Sequence, residues 1–384
     1  MNSLRKLVIT GGHHTSALPV IAELKKVFPH LLIYWFGHKY SLKGDKNPSL
    51  EYKEITKLGL PFYEIKAGKA FRTLDPIRLL KIPIGFVQSF WLLATLKPDA
   101  ILSFGGYLAV PVVTSGWVLR IPSITHEQTV VAGHANKLIS KFVKKVLISW
   151  EKSKLYFPAS KTVYAGLPLR PEIFEIKSSA FNLNPQLPTI YITAGKTGSH
   201  KINVVVQDSL GELLKTCNII HQCGDFSPTN DYQTLTDAYS GLASDLPGKY
   251  FVQKFVLANE IGEAFHKSNL VVARAGAHIT AEVLALKKPT LFIPIPWVSH
   301  NEQWENAQMV EGVGLATILP EHDLNKENFV SSVKNTLNNL NQYRLTDPTL
   351  SGGSKDSAKI IVNEIERAAI DKTIADKTGQ GHVS

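Results

Sequence analysis

Four polar clusters in this 384-residue sequence contain residue types that could bind an anion or move a proton. They read VITGGHHTSALP from Val8, SFGGYLAV from Ser103, THEQTVVAGHANK from Thr125, and ARAGAHITAE from Ala273, which is followed by HNEQWENA. A glycine turn between a strand and a helix directs backbone N–H groups and a helix dipole at one place, which suits an anion. The first cluster, with its Gly11–Gly12 pair, is therefore interpreted as an anion-binding turn.

This first cluster lacks both common nucleotide fingerprints. It has neither the Lys-Ser/Thr pair of a P-loop nor the G-x-G-x-x-G spacing of a dinucleotide site. A tight turn with incidental polar residues is the alternative.

The fourth cluster has a more definite chemistry. Gly276 lets a ligand approach the backbone, and the N–H groups that follow can hold a diphosphate; they belong to Ala277, His278, Ile279 and Thr280. Glu282 can accept hydrogen bonds from both hydroxyls of a ribose. Gln303 and Asn306 supply amide groups for sugar hydroxyls. A solvated helix with ordinary glycine caps is the alternative.

These clusters need a scaffold of parallel strands. Nine apolar runs alternate with helical patterns: KLVIT, LLIYWFG, PDAILSFGG, PSITHEQ, KKVLIS, PTIYITAG, NIIHQCG, LVVARAG and PTLFIPIP. Such alternation predicts βαβ units and an α/β fold of two Rossmann-like, doubly wound parallel-sheet domains. Both halves open on a strand and a glycine turn, and the linker is predicted near residue 168. Ligands of such sheets bind beyond the carboxyl ends of the strands, so a site is expected in a cleft between the domains.

Charge is unevenly distributed along the chain. Residues 1–160 hold 22 Lys and Arg against 9 Asp and Glu, whereas residues 161–384 hold 20 against 23. A basic first half favours an anionic partner such as nucleic acid or lipid headgroups, with a solvated basic surface as the alternative. No platform of interleaved basic and aromatic residues supports a nucleic-acid partner.

The remaining composition indicates a folded protein in a reducing compartment. Hydrophobic residues make up 44% and charged residues 19% of the chain. Cys217 and Cys223 are interpreted as buried strand thiols rather than as a disulfide or metal site. No secretory signal is expected, because Arg5 and Lys6 lead into a short strand. The most apolar window, Ile82 to Leu96, is too short to span a bilayer.

The four clusters, together with GLPLR and AGKTG, resemble the MurG family in residues and in order, over about residues 5 to 340. That family comprises GT-B glycosyltransferases that attach N-acetylglucosamine to lipid I in peptidoglycan synthesis. The resemblance implies a UDP-N-acetylglucosamine donor on the C-terminal domain and an undecaprenyl-diphosphate-linked acceptor on the N-terminal domain. It implies no tightly bound cofactor.

Site residues follow from the same resemblance. The implied donor site includes Thr129, Arg170, Lys196, Thr197, Val256, Gly276, Ala277, His278, Ile279, Thr280, Ala281, Glu282, Gln303 and Asn306. The backbone of Val256 would hold the uracil. The implied acceptor site includes Gly11, Gly12, Thr15, Ser16, Gly105, Gly106, Tyr107 and His126. Its two glycine turns would bind the acceptor's diphosphate.

Three positions depart from the family pattern. The family turn G-G-T-G-G-H becomes Gly11 to Ser16, so Ser16 stands at the family histidine and two histidines precede it. Thr129 replaces the asparagine of HEQN, and Lys196 replaces a serine of GGSQG. A lysine there could neutralise diphosphate charge.

Transfer by direct displacement, with inversion, needs a general base for the acceptor hydroxyl. Histidine titrates near neutral pH without help, so His13 or His14 is the first candidate and Glu127 the second. His126 and Tyr107 are interpreted as positioning groups, and capping or core roles remain open for each histidine. No cluster has the spacing of a metal site.

The acceptor also predicts a place at the membrane. Segment 75–97 mixes apolar residues such as Phe90 and Trp91 with Arg78 and Lys81, which suits the headgroup level; a core helix is the alternative. A peripheral position on the cytoplasmic face of the cell membrane is therefore expected, on an anionic surface.

We predict an acceptor domain over residues 1–167, a donor domain over 168–345, a helix over 346–370 that packs back on the first domain, and a disordered tail over 371–384. Two other functions stay open. A UDP-sugar epimerase shares the architecture, and a non-catalytic membrane subunit could present the lipid substrate.

Overall fold

The computed structural model describes residues 4–12, 14–40, 48–66, 76–226, 228–298, 301–347, 353–354 and 356–378, without the side chains of residues 50, 76–82, 354 and 375–378. The chain forms two compact units. The first comprises residues 1–168 and 354–384, and the second comprises residues 169–353. The chain first crosses from one unit to the other after Pro168, one residue beyond the predicted end of the first domain at residue 167.

The first unit is a parallel α/β sheet. Its strands are β1 (Lys6–Thr10), β2 (Leu32–Gly37), β3 (Phe62–Glu64), β4 (Ala100–Ser103), β5 (Ser123–Glu127), β6 (Lys145–Ile148) and β7 (Thr162–Tyr164), in the order β3-β2-β1-β4-β5-β6-β7. The helices between them are α1 (His14–Val27), α2 (Leu50–Lys57), α3 (Pro76–Leu96), α4 (Ala109–Val118) and α5 (His134–Ile139). A short strand, β8 (Leu167–Pro168), follows. The strand order reverses between β1 and β4, so a ligand crevice is expected at their carboxyl ends.

The second unit repeats this architecture. Its strands are β9 (Thr189–Thr193), β10 (Asn218–Gln222), β11 (Tyr250–Gln253), β12 (Leu270–Ala273), β13 (Thr290–Phe292) and β14 (Ala316–Ile318), in the order β11-β10-β9-β12-β13-β14. Its helices are α6 (His200–Leu213), α7 (Asp231–Ser240), α8 (Ile261–Lys267), α9 (Ala277–Ala285), α10 (Glu302–Gly312) and α11 (Lys326–Asn338). Here the order reverses between β9 and β12. The prediction of two doubly wound parallel sheets is confirmed.

Continuous apolar runs form the central strands because helices cover both faces of each sheet. In β1, Leu7 and Ile9 pack into one core cluster, whereas Val8 packs into a different one. The two cysteines flank β10; both are buried and free, as predicted. Burial raises the pKa of Cys217 to about 12 and that of Cys223 to about 11, so both stay protonated thiols at neutral pH.

The C-terminal end of the chain returns to the first unit. Strand β15 (Gly353–Ser354) pairs with β8, and α12 (Ser357–Thr378) follows. Ile361, Val362 and Ile365 of α12 join the core cluster that contains α1. The helix extends through residues 371–378, where the sequence predicted a disordered tail. Its apolar residues Ile370 and Ile374 continue the helical spacing.

Candidate functional site

The turns after β1 and β4 meet where the strand order of the first unit reverses. The N–H of Gly12 donates to the carbonyl of Gly105 at 3.2 Å. Gly11 has a φ of +136°, and a Cβ at this position would lie 2.8 Å from the carbonyl carbon of Phe104. Gly106 also has a positive φ, of +79°. Only glycine tolerates a positive φ where another backbone segment approaches so closely. The Gly11–Gly12 and Gly105–Gly106 turns, which the sequence predicted separately, contact each other as one paired turn.

A pocket of about 290 Å³ opens beside this paired turn. Its wall combines backbone, imidazole, phenol and carboxylate groups from Gly12, His14, His38, Glu51, Gly106 and Tyr107. The Tyr107 hydroxyl lies 2.5 Å from Nε2 of His38. The pocket therefore combines backbone of the paired turn with side chains that can exchange a proton.

Two carboxylates of α2 lie near His14. Oε2 of Glu54 is 2.9 Å from Nε2 of His14. Oε1 of Glu51 accepts a hydrogen bond of 2.6 Å from the indole of Trp35. Burial raises the pKa of Glu51 and outweighs the opposing effects of the Trp35 bond and the nearby His14. Gly37 leaves room for this arrangement, because a Cβ there would collide with the Glu51 carboxylate.

The rest of the first turn divides between exposed and buried positions. His13 lies outside the described residues. Thr15 is exposed. Ser16 is fully buried, and its hydroxyl donates to Oε1 of Gln128 at 3.0 Å. The Ser16 hydroxyl therefore joins α1 to the loop after β5, and the expected contact of Ser16 with an acceptor stays a prediction.

The second candidate base, Glu127, is a structural carboxylate. It is only 3% exposed, and its Oε1 accepts from the N–H and hydroxyl of Thr129 at 3.0 and 2.8 Å. Its Oε2 accepts from the N–H of Gly133 at 3.0 Å and from Nδ2 of Asn136 at 2.9 Å. These contacts hold the Glu127 carboxylate inside the loop after β5, and its role as the base stays a prediction. Thr129, which is predicted at the donor, makes its contacts here with Glu127 and with the Val131 carbonyl.

His126 is also internal. Its ring is fully buried, with Nε2 3.0 Å from the carbonyl oxygen of Gly166 and 3.3 Å from the hydroxyl of Ser149. A buried ring with these neighbours holds β5 against the chain near β8. The expected contact of His126 with an acceptor stays a prediction.

In the second unit, α9 begins at the point where the strand order reverses. Gly276 precedes it, no described side chain caps the first turn, and a Cβ on Gly276 would meet no described atom within 4 Å. The first N–H groups of a helix lack acceptors within the helix, so this open end suits an anion. The helix begins with the half-buried Ala277, His278 and Ile279, and the buried Thr280 and Ala281 follow. Thr280 donates its hydroxyl to the Gly276 carbonyl at 2.8 Å.

Glu282 of α9 is held by Arg170. Nε of Arg170 donates to Oε1 at 2.8 Å, and Nη2 donates to Oε2 at 3.3 Å. Burial alone would lower the pKa of Arg170, but the charge and hydrogen bonds of Glu282 raise it. Each carboxylate oxygen has two lone pairs, so a carboxylate fixed by Arg170 can still accept two hydroxyl donors. The sequence predicted both residues at the donor but not their contact.

The loop after β9 is clamped beside α9. Nη2 of Arg274 donates to the Ser199 hydroxyl at 2.7 Å, which joins this loop to the turn after β12. Lys196 and Thr197 are exposed in the same loop, between Gly195 and Gly198. Both glycines have positive φ values, of +78° and +72°. The fold thus places Lys196 on a loop that neighbours the open helix terminus.

Val256 lies after β11 with its backbone N–H already bonded. That N–H donates to Oε1 of Gln222 at 3.0 Å, and Nε2 of Gln222 donates to the Gly195 carbonyl at 2.9 Å. The Val256 carbonyl is therefore the group left for a base. A second pocket, of about 380 Å³, lies alongside and is lined in part by Phe255 and Leu257.

The two predicted sugar-binding amides brace the backbone. Asn306 is fully buried and donates from Nδ2 to the Ala275 carbonyl at 3.0 Å. This contact supports the turn in front of α9, and the expected contact of Asn306 with the sugar stays a prediction. Oε1 of Gln303 accepts from the N–H of Ile295 at 3.0 Å, and its side chain is half-buried.

Several partners were absent from the sequence predictions: Glu51, Glu54, Gln222 and Arg274. The sequence did contain a signal for Glu51 and Glu54. Carboxylates three residues apart on a helix share one face, so Glu51 and Glu54 were candidates for a common neighbour. The other pairings join residues from distant parts of the chain and carry no local signal.

Comparison with known proteins gives the family. Residues 10–148 match the glycosyltransferase family 28 N-terminal domain, and residues 189–361 match the family 28 C-terminal domain. A Bacillus cereus protein named UDP-N-acetylglucosamine–N-acetylmuramyl-(pentapeptide) pyrophosphoryl-undecaprenol N-acetylglucosamine transferase 2 is 30% identical, over 95% of this chain and 100% of its own length. The chain belongs to glycosyltransferase family 28. A Lachnoclostridium phytofermentans transferase of the corresponding name is also 30% identical to this family 28 member, over 96% of the chain and 100% of its own.

Solved structures agree with the family 28 fold. Acinetobacter baumannii MurG superposes with a TM-score of 0.71 at 23% identity, over 94% of this chain and 99% of its own. The UDP-GlcNAc 2-epimerase of Neisseria meningitidis gives a TM-score of 0.63 at 15% identity, with the same coverage. Together with the family match, these likenesses confirm the predicted GT-B fold class.

Within the described ranges, His, Cys, Asp and Glu side chains do not gather in any group of three or more that could hold a metal ion. None of the helices searched in those ranges combines the length and the apolar character that crossing a membrane requires.

Proposed function

We propose that this family 28 glycosyltransferase moves N-acetylglucosamine from UDP-N-acetylglucosamine to the 4-hydroxyl of the muramoyl sugar of undecaprenyl-diphospho-muramoyl-pentapeptide, the step from lipid I to lipid II. The observation that carries the proposal is Glu282, fixed by Arg170 in a helix whose N-terminus is open to an anion. A diphosphate cradle and a ribose acceptor on one helix suit a nucleoside diphosphate sugar. The names of the full-length relatives supply the sugar and the acceptor.

The donor is divided among the elements of the second unit. The first turn of α9 binds the diphosphate, Glu282 accepts the ribose hydroxyls, and the Val256 carbonyl accepts from the uracil. Lys196 and Thr197 add a cation and a hydroxyl near the diphosphate. Charge that develops on the leaving UDP is stabilised by the helix terminus and by Lys196, so the proposal includes no tightly bound cofactor.

The acceptor binds at the paired glycine turn of the first unit. The backbone of the paired turn at Gly106 holds its diphosphate, and His14 on the adjoining pocket wall takes the proton of the attacking hydroxyl. The bond from that oxygen to the anomeric carbon forms as the bond from the carbon to the UDP oxygen breaks, with inversion. Of the candidate bases that the structure describes, His14 lines the pocket and Glu127 does not.

The epimerase alternative has weaker support. Its solved relative is 15% identical, a level that shows the fold alone, whereas the 30% identical relatives carry the name of the transferase. A non-catalytic subunit would not need the donor arrangement of Arg170 and Glu282.

Radiolabelled UDP-N-acetylglucosamine with a lipid I analogue tests the proposal. We expect label in the lipid product and an equal amount of UDP, both dependent on the acceptor, with UDP-glucose as the control donor. Conversion of the donor to its 2-epimer without acceptor would instead support the alternative. Absence of acceptor-dependent transfer would overturn the proposed function.

We further propose that the first unit binds an anionic membrane surface from the cytoplasmic side. Helices α3 and α4 present an apolar face to solvent, formed by Ile84, Val87, Phe90, Trp91, Trp117 and Val118. Val87 is 70% and Trp91 65% exposed. An exposed apolar face on a basic half of the chain suits the headgroup region. The side chains of residues 76–82, including Arg78 and Lys81, lie outside the described part.

A Val87→Gln/Trp91→Gln variant is expected to bind vesicles of phosphatidylglycerol and phosphatidylcholine at least about 10-fold more weakly, because it removes buried apolar contact with the lipid. Sedimentation with vesicles measures the bound fraction. Trp297→Gln is the matched control, since Trp297 is 68% exposed on the second unit. Equal losses in both variants would contradict a membrane role for the apolar face.

A further inference from the structure

Glu51 is a carboxylate on the wall of the pocket beside the paired turn, and its place there is fixed by contacts of α2. It lies in the first turn of this helix, which begins at Leu50. The Ser49 hydroxyl donates to the His38 carbonyl at 2.8 Å and accepts from the N–H of Tyr52 at 3.1 Å. The start of α2 is therefore joined to the loop after β2, and this contact holds its first turn at the pocket.

The Glu51 carboxylate is also held from the side of the sheet. Its Oε1 accepts from the indole N–H of the fully buried Trp35 at 2.6 Å. The same oxygen occupies the space that a Cβ on Gly37 would need, so glycine in β2 admits the carboxylate. The backbone of His38 donates a further hydrogen bond to this group. Because a carboxylate has about four lone-pair sites, these two donors leave about half of its accepting capacity.

The anionic form of Glu51 is poorly solvated by the protein. Burial raises the pKa of this carboxyl group, and its effect outweighs the bonds from Trp35 and His38 and the nearby charge of His14. A pKa raised by burial means that the protein solvates the anion less well than water does. A hydroxyl that donates to the carboxylate from a ligand would offset part of that loss.

The ligand group that could donate follows from the proposed function, on which this inference rests. The proposed base His14 and Glu51 line the same pocket and interact electrostatically, so a 4-hydroxyl that meets His14 also approaches Glu51. One neighbour of that hydroxyl on the muramoyl sugar is O3, an ether oxygen without a proton. The other is the 6-hydroxyl, on the carbon attached to C5. It is the remaining hydroxyl of this sugar.

We propose that Glu51 is a specificity-determining residue that accepts a hydrogen bond from the 6-hydroxyl of the acceptor's muramoyl sugar. The contact holds the sugar beside His14 and leaves the 4-hydroxyl free to react. It also selects against sugars whose 6-oxygen is missing or carries no proton, because the carboxylate would then have no donor from the ligand.

A lipid I analogue and its 6-deoxy form test this contact in the full chain. For wild type, we expect kcat/KM for the 6-deoxy acceptor to be about 10- to 150-fold lower, the usual effect of losing a hydrogen bond to a charged group. In Glu51→Ala the two acceptors should be used within about twofold of each other, because the group that distinguishes them is gone.

Two further variants control for effects on the fold and on charge. Glu51→Gln keeps an oxygen for the Trp35 indole, and its neutral amide should distinguish the acceptors about 2- to 10-fold. Glu23→Gln removes a carboxylate of α1 that is outside the set of described residues lining the pocket, so it should discriminate like wild type.

Titration calorimetry without donor measures the same preference apart from transfer. The wild-type chain is expected to bind the 6-deoxy analogue with a Kd about 10- to 150-fold higher than that of the parent analogue. Glu51→Ala should bind the two analogues with Kd values within about twofold of each other.

The outcomes separate this inference from the proposed function. Equal use of the two acceptors by wild type, or the same discrimination by wild type and Glu51→Ala, would overturn the role of Glu51. A wild-type chain that binds the analogues with the expected preference but transfers no sugar would overturn the proposed function and leave the contact in place. A chain that binds neither analogue would overturn both.

Discussion

A His14→Ala variant is expected to lower kcat about 100- to 10,000-fold, the usual effect of losing a general base. The KM for UDP-N-acetylglucosamine should stay within about twofold, because we assign the donor to groups of the second unit. The reason is geometric. His14 lines the pocket next to Gly12 and Gly106, where the acceptor's diphosphate is proposed to bind. Initial rates at varied donor and acceptor concentrations measure the effect.

Glu127→Ala provides the contrast for this result. It removes a carboxylate that accepts from Asn136 and from the backbone N–H groups of Thr129 and Gly133, and it leaves these three donors without that acceptor. A cost of about 3–5 kcal/mol is expected, which is about 6–20 °C in the thermal midpoint. His14→Ala should leave that midpoint within a few degrees. A Glu127→Ala protein that melts like wild type but has lost kcat would return the role of base to Glu127.

A Glu282→Ala variant is expected to reduce kcat/KM for the donor about 100- to 10,000-fold. Hydrogen bonds to a charged group contribute about 1.5–3 kcal/mol each, and the variant removes two proposed ones to the ribose hydroxyls. It also leaves the guanidinium of Arg170 without the carboxylate that fixes it. Titration calorimetry with UDP measures the loss of binding directly, without an acceptor.

Two variants sharpen this test. Glu282→Gln keeps the volume and one oxygen for Arg170, so a loss of about 10-fold is expected. Glu327→Ala, at an exposed position of α11 in the same unit, is the control and should bind UDP like wild type. If Glu282→Ala bound UDP with unchanged affinity, the donor site would have to lie elsewhere on the chain.

The sequence was most informative for strands in the middle of each sheet. All nine apolar runs form strands, among them β1, β4 and β9. The strands that it missed in the two large sheets are β3, β7, β11 and β14, which are the edges of those sheets. Edge strands have one neighbour and are partly exposed, so they are short and lack a continuous apolar run. Burial on both faces produces a continuous apolar run, and it is least complete in these edge strands.

For the site, the sequence located the turns but not the roles of their side chains. It placed glycine turns after β1, β4 and β12, and all of them border a reversal of strand order. It could not separate Ser16 and Asn306, which are buried supports, from His14, which lines a pocket. Exposure and contact depend on which helix covers each turn, and residue type alone does not specify that.

By itself the sequence determined two parallel α/β sheets, their glycine turns and an uneven charge, because periodicity, turn conformation and composition are local properties. Only the tertiary structure decided that Arg170 holds Glu282, that Glu54 contacts His14, and that Glu127 is buried and accepts a hydrogen bond from Asn136. Two of these contacts join residues 112 and 40 positions apart, and they form when strand order and helix packing bring distant segments together. The third depends on burial that removes competing water.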